Sequence, residues 1–256
     1  MSTFKFFPEG WKSEDTEETK DILQGIVKNC DKDYNLHVEL KNGMHGIIPR
    51  QEIEAINVDE KGYPKENLCI GKVHKYVQFK LKEKDGDKLI FSRKDVQQEV
   101  LNSVKTDLKV GDNIKGIVKN ITPYGAFIDI GGGVVGLAYI EDLSVARIKT
   151  PYERLKIGQN VNIVVKSINR ETGKISLSYK DTLGTWEENA KKFSVGMNTK
   201  GIIRETEKNK NGIFIELTPN LVGMAEYKEG LKYGEKVDLY IKKIDYDKKK
   251  IKVFLL

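Results

Sequence analysis

Apolar and polar residues alternate with period two in three separate stretches of the chain. These are Leu36-His37-Val38-Glu39-Leu40, Ala126-Phe127-Ile128-Asp129-Ile130 and Ile213-Phe214-Ile215-Glu216-Leu217. Each follows a copy of one pentamer: Gly25-Ile26-Val27-Lys28-Asn29, repeated unchanged as Gly116-Ile117-Val118-Lys119-Asn120, then Gly201-Ile202-Ile203-Arg204-Glu205. The copies lie 91 and 85 residues apart. That spacing is domain-sized and too long for a solenoid. After each alternating stretch come a turn and a glycine (Gly46, Gly136, Gly223), then a connector with a second glycine (Gly71, Gly158, Gly234). Two β-rich runs close each unit: VHKYVQFKLKE with DKLIFS, VNIVVKSIN with KISLS, and VDLYIKKID with KIKVFLL.

This succession predicts about five short strands per unit. β-branched residues dominate and apolar positions do not recur at three and four, which excludes helices. Five antiparallel strands in so short a unit describe a small closed barrel, because closure removes exposed sheet edges. The stretches Asp95–Asp107 and Asp181–Ser194 instead have helical spacing and few β-branched residues, and read as short helical linkers. The expected fold is therefore all-β: three tandem five-stranded barrels joined by short helical linkers. The divisions are an N-terminal arm at 1–20, a first and divergent domain at 21–98, a second at 108–180 and a third, shortened one at 195–256.

Composition agrees with several small domains. Of the 256 residues, 39% are apolar and 32% charged, too polar a balance for one large dry core. The net charge of +6 favours a polyanionic partner. Residues 108–180 carry 11 basic and 6 acidic side chains and residues 195–256 carry 13 and 9, whereas residues 21–98 are nearly neutral at 14 and 13. Two cysteines, Cys30 and Cys69, exclude a disulfide framework and a four-cysteine zinc site. No apolar run approaches the ~20 residues of a membrane span, and no secretory signal opens the chain. A soluble, cytoplasmic, monomeric protein is expected.

The second unit, VGDNIKGIVKNITPYGAFIDIGGGVVGLAYIEDLS…LKIGQNVNIVVKSINRETGKISLS, resembles the S1 RNA-binding domain throughout. That domain is the OB-fold barrel repeated in the large bacterial ribosomal protein of the same name. The VGD opening, the Tyr-Gly-Ala-Phe element, the G-L-x-x-I-x-x-L-S stretch and the closing K-I-S-L-S occur in order. The third unit, preceded by GTWEENAKKFSVGM, resembles a neighbouring repeat with its linker. The first, with GIIPRQEI and FSRKD, resembles the N-terminal repeat type. The resemblance covers residues 21–256.

It implies an RNA-binding face. Alternation turns Ala126, Ile128 and Ile130 into the barrel and Phe127 and Asp129 outward. An outward Phe near Tyr124 is costly unless something stacks on it, and OB barrels hold single strands on aromatic platforms among basic side chains. The family places stacking aromatics at Tyr124 and Phe127. At the remaining site positions this chain has Tyr139 for the family's usual His, and Asn169 and Lys174 for its Asp and Arg. The matching positions are Tyr34, His37, Pro49 and Lys88 in the first unit, and Asn211, Phe214, Glu226, Asp245 and Lys250 in the third. An alternative use of Tyr124 and Phe127 is to plug a barrel end or a domain interface.

No cofactor or metal is expected. Gly131-Gly132-Gly133-Val134-Val135-Gly136 satisfies G-x-G-x-x-G, yet Leu-Ala-Tyr-Ile follows it, so it reads as a hairpin turn and not a dinucleotide loop. His37, His45 and His74 lack metal-site spacing. No nucleophilic triad or phosphate loop is present, so no enzymatic activity is expected. The leading function is non-catalytic binding of single-stranded RNA or mRNA in a ribosomal protein S1-like role in translation, with the 30S subunit as a partner and no membrane. The alternatives are an accessory factor in RNA processing or degradation, and a protein-binding adaptor. For the adaptor, the first unit and the arm with Phe4, Phe6, Phe7 and Trp11 would dock a partner.

One structural expectation concerns the third unit. Its connector from Gly223 to Gly234 spans 11 residues, against 22 from Gly136 to Gly158. A helical turn hardly fits there. The third barrel should therefore lack the short helix that plugs one barrel end in the family, and should take its cover from Trp186 and Phe193.

Overall fold

In the computed structural model of the chain, residues 22–86, 88–204 and 212–256 are described. The N-terminal arm and Asn211 lie outside them. The strands fall as the alternation predicts. The first barrel comprises β1 (Leu23–Cys30), β2 (Leu36–Leu40), β3 (His45–Ile48), β4 (Tyr76–Asp85) and β5 (Lys88–Ser92), with a short helix α1 (Glu66–Ile70) between β3 and β4. Helix α2 (Arg93–Thr106) follows. The second comprises β6 (Asn113–Thr122), β7 (Gly125–Gly131), β8 (Val134–Tyr139), β9 (Asn160–Ile168) and β10 (Ile175–Ser178). Then come α3 (Trp186–Ala190) and the third barrel: β11 (Asn198–Ile203), β12 (Ile213–Thr218), β13 (Leu221–Ala225), β14 (Lys236–Asp245) and β15 (Lys250–Leu255).

All three sheets close with one strand order, first-second-third-fifth-fourth, the fourth strand returning to the first. The third and fifth strands pair in parallel in the outer two barrels (Ile47 with Ile90, Gly223 with Ile251). Inward positions are sealed: Ala126, Ile128 and Ile130 in β7, Ile213 and Ile215 in β12, Leu36 and Val38 in β2. In the second and third barrels the repeated pentamer glycine has the same steric cause. A Cβ on Gly116 would lie 2.3 Å from Ile128 Cγ2, and one on Gly201 would lie 2.5 Å from Ile215 Cγ2. The neighbouring strand's inward branched side chain occupies the space a larger residue would need. The G-x-G-x-x-G run is the β7–β8 hairpin turn, with φ positive at Gly131, Gly132 and Gly133.

The connectors differ as their lengths predict. Between their third and fourth strands, the first barrel has a 3-10 turn at Arg50–Glu52 and α1, and the second has 3-10 turns at Ile140–Asp142 and Pro151–Glu153. The third barrel has no helical turn there. Its core is completed by α3: Ala190 is fully buried in the cluster around Ile203, Ile215 and Leu239, with Trp186 and Phe193 packed against it. Thr185 caps α3 with a capping box to Glu188.

The chain divides into two compact units: residues up to 119 with 127–136 and 157–176, and residues 120–126 with 137–156 and 177–256. Within the first, α2 is a packed element and more than a spacer. Arg93 at its start is fully buried, donating to Ile53 O (2.9 Å) and to Glu54 Oε2 (2.9 Å). Gln97 donates to the same carboxylate (2.7 Å) and accepts from Ala55 N–H (2.6 Å). Burial alone would push the Glu54 carboxyl up, but Arg93, Lys72 and Gln97 outweigh it and hold it below its ordinary value. At the other end of α2, the Arg170 guanidinium donates to Val104 O, Lys105 O and Leu108 O (2.8, 2.6 and 2.7 Å), a cationic cap on a helix C-terminus.

Candidate nucleic-acid interface

The second strand of every barrel carries one half-buried ring at the same place: His37 on β2, Phe127 on β7, Phe214 on β12. Each lies between two sealed inward residues, as period-two alternation requires. Tyr34 and Tyr124 occupy the turns leading into β2 and β7, and Tyr124 is 52% exposed. Tyr139 ends β8 and is 41% exposed. The Tyr124 carbonyl accepts from Ile140 N–H (2.9 Å), which ties the β6–β7 turn to the chain just past Tyr139.

Asn169 and Lys174 flank the β9–β10 turn, both exposed, joined by Asn169 N–H to Lys174 O at 2.8 Å. The Asn169 side-chain oxygen accepts from the backbone N–H of Glu171 and Thr172 (3.1 and 2.9 Å). The acceptor retained at this position shapes its own turn. Asp245 does the same in the third barrel, accepting from Lys248 N–H at 2.9 Å. That bond, with Lys243 nearby, draws its carboxyl below the ordinary value.

Alternation gave the right face for Asp129 but not its environment. It is completely buried, with Oδ1 accepting from Gly131 N–H at 2.8 Å and Oδ2 3.2 Å from Lys119 Nζ. The adjoining β7–β8 turn lies under α2: a Cβ on Gly132 would meet Val96 and Val100 at 3.2 Å. Period two reports which side of a strand a residue takes, and cannot report what packs against that side.

In the first barrel, His37 and Lys88 line one cleft with Lys28 and His45. His37 Nε2 is 3.3 Å from Asp31 Oδ2. Tyr34 faces a different recess, where the Arg50 guanidinium sits 4.7 Å from its ring centroid. The first barrel thus keeps its ring pair apart, with Tyr34 engaged by its own arginine. In the third barrel, Phe214 and Lys250 line one cleft of 460 Å³ together with Met224 and Lys249. Glu226 lies beyond the end of β13 and is exposed. Three lining residues come from outside the third barrel's own segment of chain: Val145 and Arg147 from the segment after β8, and Trp186 from α3. Nothing in the sequence links Arg147 to this cleft.

Among the described residues no group of His, Cys, Asp and Glu is arranged to hold a metal ion. No helix among them is long and apolar enough to cross a membrane.

The family model for the S1 RNA binding domain matches residues 16–94 and 107–180. The chain belongs to the S1 RNA-binding domain family. The third barrel lies outside the matched segments and shares the strand order of the other two. The small ribosomal subunit protein bS1 of Staphylococcus aureus is 40% identical over 161 residues, 60% of this chain and 40% of that protein. The bS1 of Chlamydia muridarum is 28% identical over 232 residues, 85% of this chain and 40% of its own length. The chain therefore spans about two fifths of these relatives. The solution structure of GSP13 from Bacillus subtilis is 32% identical, covering 31% of this chain and 61% of that one, with a TM-score of 0.30.

Proposed function

We propose that this S1 chain binds single-stranded RNA on the outer faces of its barrels, by association and not catalysis. The contacts would come from Tyr124, Phe127, Tyr139, Asn169 and Lys174 in the second barrel, Phe214 and Lys250 in the third, and Tyr34 and His37 in the first. The observation that carries the reading is the half-buried ring on the second strand of each barrel. It sits beside cations in the first barrel, with Lys28 and Lys88, and in the third, with Lys249 and Lys250. A ring so placed offers a π-face to a base while lysines reach the phosphates.

The domains 21–98, 108–180 and 195–256 act as three modest sites on one chain, whose linkage raises affinity through effective concentration. The proposed setting is cytoplasmic translation as a monomer, with mRNA held at the small ribosomal subunit, the particle that the names of the bS1 relatives give.

Two results test this reading. Affinity for single-stranded RNA should fall with salt, log K against log salt having a slope of about −0.7 per neutralised phosphate. Duplex RNA should bind more weakly. Filter-binding titrations across a salt series check both, and salt-independent binding or a preference for duplex counts against the reading. In the same assay Phe127→Ala should cost about 1–3 kcal/mol, the range for one lost base stack. Phe214→Ala should cost less and His37→Ala least. A first barrel that binds as tightly as the second would overturn the ranking.

A further inference from the structure

The 460 Å³ cleft on the third barrel is built from three separated parts of the chain, all within one compact unit. Phe214 and Met224 face each other across β12 and β13 and form its floor. Trp186 contributes an indole held edge-on by Tyr246, ring centroids 5.6 Å apart. Arg147, Lys249 and Lys250 bring positive charge, and among the described residues no carboxylate lines the cleft. Its volume falls within the ~300–1,000 Å³ of small-molecule sites, and its make-up, aromatic and apolar surface with cations, matches a base with its phosphate.

The position of Arg147 is fixed on both sides. The N–H groups of Val145 and Ala146 both donate to Pro219 O at 3.1 Å. The Arg147 carbonyl accepts from the Tyr233 hydroxyl at 3.4 Å, and Lys149 N–H donates to the same hydroxyl at 3.0 Å. Binding there would order little further backbone, so little of the interaction is lost to entropy. Lys249 pairs with Glu187 at 2.8 Å on an exposed surface. Such a pair is weak and can be exchanged for a phosphate.

We propose that this cleft is a composite site for one nucleotide of single-stranded RNA. The base lies against Trp186 and Phe214, and Arg147, Lys249 and Lys250 hold its phosphate. The inference rests on the RNA-binding reading above and adds to it that residues outside the third barrel complete its site. By sequence the third unit has Asn211 in place of one stacking ring and Glu226, an acid, at another site position. Trp186 supplies a ring and Arg147 a cation from outside the barrel.

The test uses the full chain and a uridine oligonucleotide carrying 5-bromouridine. Arg147→Ala leaves intact the hydrogen bonds of its segment to Pro219 and Tyr233, since those use backbone groups, and a urea melt of the variant checks that its fold is kept. It should lower affinity roughly three- to tenfold and reduce the slope of log K against log salt by about 0.7, the loss of one phosphate contact. Lys200→Ala, at an exposed pair elsewhere on the barrel, should change neither. Because Trp186 also packs on the core, it is probed without mutation. In a Trp11→Phe background it is the sole remaining tryptophan of two. Its fluorescence should be quenched by the oligonucleotide, and irradiation should cross-link the bromouracil to it. If the chain binds no RNA at all, the broader reading falls. If it binds RNA in a Phe127-dependent way, yet Arg147→Ala keeps affinity and slope and no cross-link maps to Trp186, the composite site alone is wrong. Equal competition by an acidic poly-glutamate peptide would also overturn it, by assigning the cleft to protein.

Discussion

Glu216→Ala is expected to destabilise the third barrel by about 3–5 kcal/mol, the range for breaking a buried charge pair from one side. Glu216 is almost fully buried, and its Oε2 accepts from Arg204 Nε and from Arg154 Nη2, each at 2.6 Å. Arg204, 5% exposed, also pairs with Glu153 and receives the Tyr233 ring beside it. Two cations and two anions therefore balance in a dry setting. Removing Glu216 leaves two guanidiniums with one carboxylate, and the desolvation already incurred is no longer offset. Breaking the exposed Lys200–Asp238 pair by Asp238→Ala should cost about 1 kcal/mol or less, because water screens it. Urea denaturation of the two variants decides the matter, and equal losses would show that the network contributes no more than a surface pair.

The same network sets an acid limit. Burial pushes the Glu153 carboxyl up, but hydrogen bonds from Lys149 N–H, the Tyr233 hydroxyl and Arg204 outweigh it, so its pKa lies below the ordinary 4.5. A carboxylate lowered on folding adds stability that is fully present above its unfolded value and is lost as pH falls through its folded one. Thermal stability should be flat around neutrality and decline only below about 4.5. A decline beginning near neutral pH would point to another group.

The second large effect is a truncation. A fragment of residues 195–256 is expected not to fold cooperatively, whereas 181–256 should. Without residues 181–194 the third barrel loses Trp186, Ala190 and Phe193 from its core. At about 1.5–3 kcal/mol for each large side chain fully buried, the two partly buried rings contribute at most about 3–6 kcal/mol, which reaches the low end of the roughly 5–15 kcal/mol of a whole domain. The segment also carries the buried Asn189, which donates to Leu183 O and Thr185 O (2.9 Å each) and accepts from the Thr218 hydroxyl (3.1 Å). Asn220 donates to Lys180 O and Gly184 O from the other direction. The ion network adds a third level. A 181–256 fragment keeps Arg204 and Glu216 but lacks Glu153 and Arg154, so it should melt below the third barrel of the intact chain. Circular dichroism melts give the order directly. If 195–256 melts as sharply and as high as 181–256, α3 is only a spacer.

What could be read from sequence was whatever has a short period or a repeat. Alternation located the strands and sorted Ala126, Ile128 and Ile130 from Phe127, because successive side chains in a strand must take opposite faces. The three pentamers aligned the barrels, and that alignment carried the ring of β7 to His37 and Phe214. A connector of 11 residues between Gly223 and Gly234 excluded a helix by length alone. The tertiary structure decided what lies against each face. Asp129 occupies an outward position by alternation, yet it is completely buried beside Lys119 and the β7–β8 turn. Arg204 is a pentamer residue where Lys28 and Lys119 stand in the other copies, yet it is buried against Glu153, 51 residues earlier, while Arg154 reaches Glu216 across 62. Arg147 joins a cleft on another barrel because Pro219 and Tyr233 hold its backbone there. Pairings over such separations follow no period, and a buried arginine is spelled like an exposed one, so only the packing of distant segments distinguishes them.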